Sequence, residues 1–252
     1  MDSDLYRHIK EEEACAKIHG WDFSHIGGRY EEENDLPWEY RAEILSRLAP
    51  DMKLLDIDTG GGEFLLSLGH PYENTYAMEG YKPNAELCKS ALSPLGIHFK
   101  EGNADRIPFE DASFDMVINR HGDFNAMEIS RVLKKGGLFI TQQVGAHNDR
   151  ELVKLLLSEN APVPFPQQTL EAAREKFERA GFIVEEAGEH FGSIRFYEIG
   201  ALVWFARIIE WEFSGFSVDR NLAQIENAQR QIAENGSVSG RTHRFFMVCK
   251  KA

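Results

Sequence analysis

Residues 54–64, LLDIDTGGGEF, decide how this chain reads. Lys53–Ile57 is a short apolar run carrying one acid, the pattern of a strand buried on both faces of a parallel sheet. It stops in a glycine-rich turn that opens a helix at Glu63. Backbone N–H groups at such a turn lack intrahelical partners and point beyond the strand, where a carboxylate or phosphate would satisfy them. Gly60 and Gly62 have no Cβ, so a ligand can approach the backbone closely. The dinucleotide fingerprint GxGxxG is not met, because Leu65 stands where its last glycine would fall, and no GK[ST] completes a P-loop.

Outward from this turn, short apolar strands alternate with helices, the signature of βαβ units and a mostly parallel sheet. Further strands are expected at Thr75–Met78, His98–Lys100, Phe114–Asn119, Leu138–Gln143, Phe182–Glu186 and Arg244–Cys249. Helices are expected at Glu63–Leu68, Asn84–Leu92, Ala126–Leu133 and Thr169–Ala180, the last stopped by Gly181. Upstream, helices are expected near residues 4–18 and from Pro37 to Leu48, Pro37 suiting a first turn. About 55 residues separate the last two strands, too many for a hairpin, and they are rich in aromatics. The expected organisation is an N-terminal helical cover (1–50), a core (51–188 plus 242–252) and a helical insertion (189–241) acting as a substrate lid.

The 252 residues carry 28 Lys and Arg against 41 Asp and Glu, a formal net charge of −13. An acidic field opposes the phosphate neutralisation on which nucleic-acid binding depends. Much of the excess lies between Asp2 and Asp35, with ten acidic residues against four basic. Cys15, Cys88 and Cys249 show no CxxC or Cys/His spacing, so no metal site and no disulfide framework is expected. The first residues are charged where a signal peptide is apolar, no run is long enough to span a bilayer, and the expected location is cytoplasmic.

Three more elements carry chemistry. Glu79 ends the second strand about 20 residues past the glycines, placed to accept both hydroxyls of a ribose. The segment 102–109, GNADRIPF, follows the third strand and leads to the strand FDMVIN at 114–119. Residues 131–140, RVLKKGGLFI, read as a helix ending in paired glycines that turn into the fifth strand.

In order, spacing and residue type these four elements resemble the class I S-adenosylmethionine-dependent methyltransferases, specifically the small-molecule-type methyltransferase domain subgroup, over roughly residues 37–187. The resemblance implies a Rossmann-like, seven-stranded, mostly parallel sheet with strand seven antiparallel, flanked by helices. It also implies S-adenosylmethionine as cofactor, a small-molecule methyl acceptor, and neither nucleic acid nor membrane as partner. Carried over position by position, Gly60 and Gly62 would hold the methionine portion, Glu79 the ribose diol, and Ala104 and Asp105 the adenine. Asn119 would line the methyl-transfer point, and Asp56 would order the loop and meet the cofactor's amino group. Asp58 stands where the family's first loop glycine belongs. Asp tolerates the left-handed backbone, but its carboxylate opposes the cofactor's own, so weakened and not abolished binding is expected.

Methyl transfer needs alignment in a water-poor pocket more than covalent help. His121, just past the fourth strand, is placed as a general base; the alternative is a loop histidine bonded to backbone. Arg120, Gln142 and Gln143 share that rim and either meet substrate or serve the loop. Two other readings stay open: a non-catalytic cofactor-binding or scaffold protein with a degenerate methyltransferase fold, favoured by Asp58, and an RNA methyltransferase, disfavoured by charge and by the absence of an NPPY-like run at 119–122.

Overall fold

The computed structural model describes residues 2–17, 23–33 and 35–252. Labels below run in chain order. Two compact units divide the chain: residues 1–36, 146–166 and 190–243 in one, and 37–145, 167–189 and 244–252 in the other.

The second unit is built on a seven-stranded sheet. In chain order it holds α2 (Tyr40–Leu45), β2 (Leu54–Ile57), α3 (Glu63–Ser67), β3 (Thr75–Glu79), α4 (Lys82–Ala91), β4 (His98–Glu101), β5 (Phe114–Arg120), α5 (Ala126–Val132), β6 (Leu133–Val144), α7 (Leu170–Arg179), β7 (Phe182–His190) and β10 (Arg244–Lys251). The strand order is β4-β3-β2-β5-β6-β10-β7. β4, β3, β2, β5 and β6 pair in parallel, and β10 runs antiparallel to β6. This is the Rossmann-like, seven-stranded, mostly parallel sheet with its last strand antiparallel that the sequence implied. The order reverses between β3 and β2 on one side and β5 on the other, which opens the crevice at the carboxyl ends where such sheets take ligands.

Local chemistry explains the boundaries. β2 is buried at all four positions, so its apolar run serves both faces. Asn125 caps α5 by accepting the Met127 and Glu128 N–H groups, and Thr169 caps α7 through Ala172 N–H. One face of the sheet packs Phe114, Phe139, Phe177 and Phe245; the other packs Ile44, Leu65, Met116 and Phe246. The expected helix from Pro37 to Leu48 shortens to α2, whose start is set by Glu39 accepting Ala42 N–H at 2.7 Å. The glycine pair before the fifth strand lies inside β6 and not at a helix end. Phe114 pairs with Leu133 but Met116 pairs with Leu138, so residues 134–137 loop out, Gly136 adopts φ +77°, and Lys134 reaches the Asp115 carboxylate at 2.7 Å.

The other unit holds α1 (Ser3–Cys15), β1 (Tyr30–Glu32), α6 (Arg150–Leu156), β8 (Ser193–Phe196), α8 (Ile199–Ile208), α9 (Leu222–Asn235) and β9 (Val238–Arg241). The expected end of the first helix at residue 18 lies outside the described residues. Here the late segment, expected to be helical, also supplies two strands: β8 pairs antiparallel with β1 and with β9. Four residues are too few to show a period, and Gly240 in β9 is a poor strand former. It is tolerated because a Cβ there would meet the Leu152 side chain at 2.8 Å. α8 is buried at nine of its ten positions, which makes it the spine of this unit's core. Among the described residues no helix is long and apolar enough to cross a membrane.

Candidate functional site

The glycine turn after β2 takes the conformation its sequence asks for. Asp58, Gly60 and Gly62 have φ of +54°, +64° and +85°. A Cβ at Gly60 would project into open space, so the backbone there presents a bare face. Glu79, at the end of β3 and only 4% exposed, turns its carboxylate into this turn. Oε2 accepts the Gly60 N–H at 2.9 Å, while Oε1 accepts Gly80 and Tyr81 N–H, each at 2.8 Å. The structure thus joins two sequence-predicted residues directly, with the acid bracing the loop beside it.

Asp56 is buried in β2 and accepts the Thr59 hydroxyl at 2.6 Å. Burial pushes its carboxyl up to about 7, against the opposing pull of the Thr59 bond and of Arg120. Asp58, half-buried, is also pushed up to about 7, by burial first and then by Glu79 and Asp123. Its side chain is drawn across to the turn after β5: a Cβ on Gly122 would meet Asp58 Oδ2 at 2.7 Å, and the Asp123 backbone stabilises the carboxylate.

These raised values fix a pH dependence. The folded chain holds protons on Asp56 and Asp58 where the unfolded chain, near 3.8, has lost them, so this contribution to stability is complete below about pH 4 and lost as pH rises through about 7. Asp58→Asn keeps a residue that accepts the left-handed backbone but removes the titration. The melting temperature of the wild type is therefore expected to fall relative to that of Asp58→Asn between pH 5 and 8, at about 2–4 °C for each kcal/mol. Parallel curves over that range would refute it.

Asn119 is placed differently from its sequence expectation. It is fully buried and its amide is consumed internally. Nδ2 donates to Ile57 O at 3.0 Å and Asp123 O at 3.3 Å, and Oδ1 accepts Gln143 Nε2 at 2.5 Å. It ties together the ends of β2, β5 and β6. Tyr40 adds to this brace by donating to Asn119 O at 3.0 Å, and its ring stacks on Phe64. Arg120 lies over the Phe64 ring, 4.4 Å from its centroid.

His121 follows at φ +61°, with its N–H donated to Gln142 O. The residue keeps an accessible surface, yet its ring is surrounded by protein and faces the cations Arg244 and Arg120, which together hold the imidazole neutral. A neutral ring can accept a proton, but its conjugate acid is disfavoured here, so the driving force for general-base work is small. Gln142 contacts His121 at 3.4 Å and accepts Trp38 Nε1–H at 2.8 Å.

Ala104 and Asp105 line a cavity of about 230 Å³ together with Asn103, Asp123, Phe124, Gln168 and Lys176. Asp105 is exposed and its N–H is donated to Asn103 Oδ1 at 3.1 Å. Sequence reading missed Phe124, Gln168 and Lys176. Phe124 follows the rim of β5 and was within reach of that reasoning; Lys176 sits on the polar face of α7 and carries no sequence signal.

The arrangement suits a cationic ligand. A bare glycine face, a carboxylate at a strand end and two further carboxyls with raised pKa converge at the carboxyl ends of the strands, where a positive charge would offset their mutual repulsion.

Residues 55–141, about a third of the chain, match the family described as methyltransferase domain. Its class takes the methyl group from S-adenosylmethionine. The phthiotriol/phenolphthiotriol dimycocerosates methyltransferase of Mycobacterium tuberculosis is 31% identical over 97 residues, 36% of either chain. The aligned part thus spans about a third of the length of that curated relative. The YcgJ protein of Bacillus subtilis shares the fold with a TM-score of 0.55 at 16% identity, covering 84% of this chain and 97% of its own. The [4+2]-cyclase SpnF does so with a TM-score of 0.52 at 16% identity, covering 98% and 93%.

Proposed function

We propose that this chain is an S-adenosylmethionine-dependent methyltransferase that passes a methyl group to a small-molecule acceptor by in-line displacement. The observation that carries the reading is the junction of Glu79 with the Gly60 N–H, which places an acid and an unobstructed backbone face side by side beyond the strand ends. In this reading Gly60 and Gly62 receive the methionine portion, Asp56 faces its ammonium while Asp58 lies toward its carboxylate, Glu79 takes the ribose diol, and Ala104 and Asp105 take the adenine. The cofactor supplies a methyl carbon already activated by a sulfonium, so the protein need not provide a covalent nucleophile. Asn119 fixes the loops around the site without touching the ligand, and His121 orients an acceptor or takes its proton where that proton is already acidic. Segment 189–241 is assigned acceptor selection.

Asp58 tests the cofactor's orientation. Asp58→Gly is expected to tighten S-adenosylmethionine binding several-fold at pH 8, where Asp58 is mostly ionised. At pH 6, where its carboxyl at about 7 is mostly protonated, the gain is expected to shrink. Titration calorimetry at both pH values measures this, and unchanged or weaker binding at pH 8 would remove the idea.

A cofactor-binding protein with no methyl transfer is the second reading, favoured by the weak basicity of His121. Fold likeness does not separate the two, since SpnF is named for a cyclisation. Calorimetry with S-adenosylmethionine, followed by an assay for S-adenosylhomocysteine release against hydroxyl, amine and acidic-carbon acceptors, does separate them. Release supports transfer, and binding without release supports the second reading. No binding at millimolar cofactor would sink both.

A further inference from the structure

Within the unit that holds α1, that helix and the 3-10 turn at residues 24–26 bring three different ligand types to one point. Glu12 and Cys15 lie at i and i+3 on one face of α1, so their side chains are neighbours. His25 comes from the 3-10 turn Ser24–Ile26. His25 Nε2 is 2.7 Å from Glu12 Oε2 and 3.6 Å from Cys15 Sγ, and the sulfur is 3.8 Å from the same carboxylate oxygen. We propose that Glu12, Cys15 and His25 form a binding site for one divalent zinc ion.

Tetrahedral zinc, with bonds of about 2.0 Å to oxygen and nitrogen and about 2.3 Å to sulfur, separates its ligand atoms by about 3.3–3.6 Å. Two of the three separations here are already near that range, and the third is a hydrogen bond that opens by roughly 0.6 Å when the ion replaces the proton. A proton relay does not explain the arrangement. In a thiol–imidazole–acid relay the acid holds one ring nitrogen and the thiol the other. Here both face Nε2, which offers either a proton to Glu12 or a lone pair to the thiol. Three lone-pair atoms converging on one point are what a cation uses.

The surroundings are built as metal ligands usually are, with outer groups fixing the inner ones. Arg29 donates to the other Glu12 oxygen at 2.5 Å and to Glu198 at 3.1 Å. Trp204 stacks on the His25 ring, 5.2 Å between centroids and 28° from parallel. Charge also closes. Glu12, Glu198 and Arg29 together carry one negative charge; zinc and a Cys15 thiolate bring the cluster to neutrality. On binding, the Cys15 S–H bond breaks, an S–Zn bond forms and that proton leaves to solvent, while the neutral His25 ring exchanges its proton from Nε2 to Nδ1 so that the Nε2 lone pair coordinates the ion. Three ligands among the described residues leave a fourth tetrahedral position open.

Co²⁺ is the probe, because thiolate coordination gives a sulfur-to-cobalt charge-transfer band and tetrahedral geometry gives intense visible bands. One equivalent is expected to produce both on the full chain, Zn²⁺ to displace it, and one proton to be released. Cys15→Ser and His25→Ala are expected to lose the charge-transfer band or weaken Zn²⁺ binding about a hundredfold or more. Circular dichroism of each variant confirms that the fold persists; where one does not fold, Glu12→Gln serves in its place. Absence of the band in the wild type, or its survival in Cys15→Ser through the buried Cys88 or Cys249, would overturn the proposal.

Discussion

Glu79→Ala is expected to weaken S-adenosylmethionine binding by about a hundredfold or more, because each charge-assisted hydrogen bond lost costs about 1.5–3 kcal/mol. Two losses add together. The ligand loses the carboxylate that would take its two ribose hydroxyls, and the protein loses the acceptor of Gly60, Gly80 and Tyr81 N–H. The loop that should meet the methionine portion therefore loosens along with the ribose contact. Glu79→Gln is a sharper probe, since it preserves shape and burial. With its oxygen serving Gly80 and Tyr81, its NH₂ faces the Gly60 N–H, donor against donor. Its affinity is expected to fall nearly as far, while Glu79→Asp keeps the charge but withdraws from Gly60. Calorimetry on the three variants, with melting curves of the free proteins, measures the effect. Affinity within threefold of wild type for Glu79→Gln would exclude the role.

Asn119→Ala is expected to cost about 2–4 kcal/mol of stability, the range for breaking a buried hydrogen-bond network. Its amide joins Ile57 O, Asp123 O and Gln143 Nε2 in a position with no access to water. Truncation leaves those groups buried without their partner, and alanine cannot admit enough water to replace it. Chemical denaturation is the direct measurement, with an unchanged midpoint as the contrary result. Cofactor affinity is expected to fall as well, because the turns after β2 and β5 are held at their spacing through the Asn119 amide. Restoration of affinity at low temperature, where the destabilised variant is fully folded, would point to lost stability alone.

How far each residue could be read depended on how local its reason was. β2 and its glycine turn were legible because a buried parallel strand writes itself as an apolar run, and a left-handed turn as glycine. Glu79 was legible through its distance from that turn. Asn119 was legible by its place at the end of β5, but its three hydrogen-bond partners were not, because they come from β2, β6 and the turn after β5. His121 was found by position, but its suppressed basicity comes first from burial and then from Arg244, more than a hundred residues later, and Arg120.

The sequence alone therefore determined the parallel sheet, the order of its elements and the carboxyl-end location of the site, since these follow from periodicity and turn chemistry within short windows. Tertiary structure alone decided the rest. It showed Asp58 turned toward Gly122 and opposed electrostatically by Glu79, it recruited β1, β8 and β9 into a second sheet, and it gathered Glu12, Cys15 and His25 from a spacing that matches no metal motif. Charge, burial and ligand geometry depend on which distant side chains share a few ångströms, and only the folded chain brings those together.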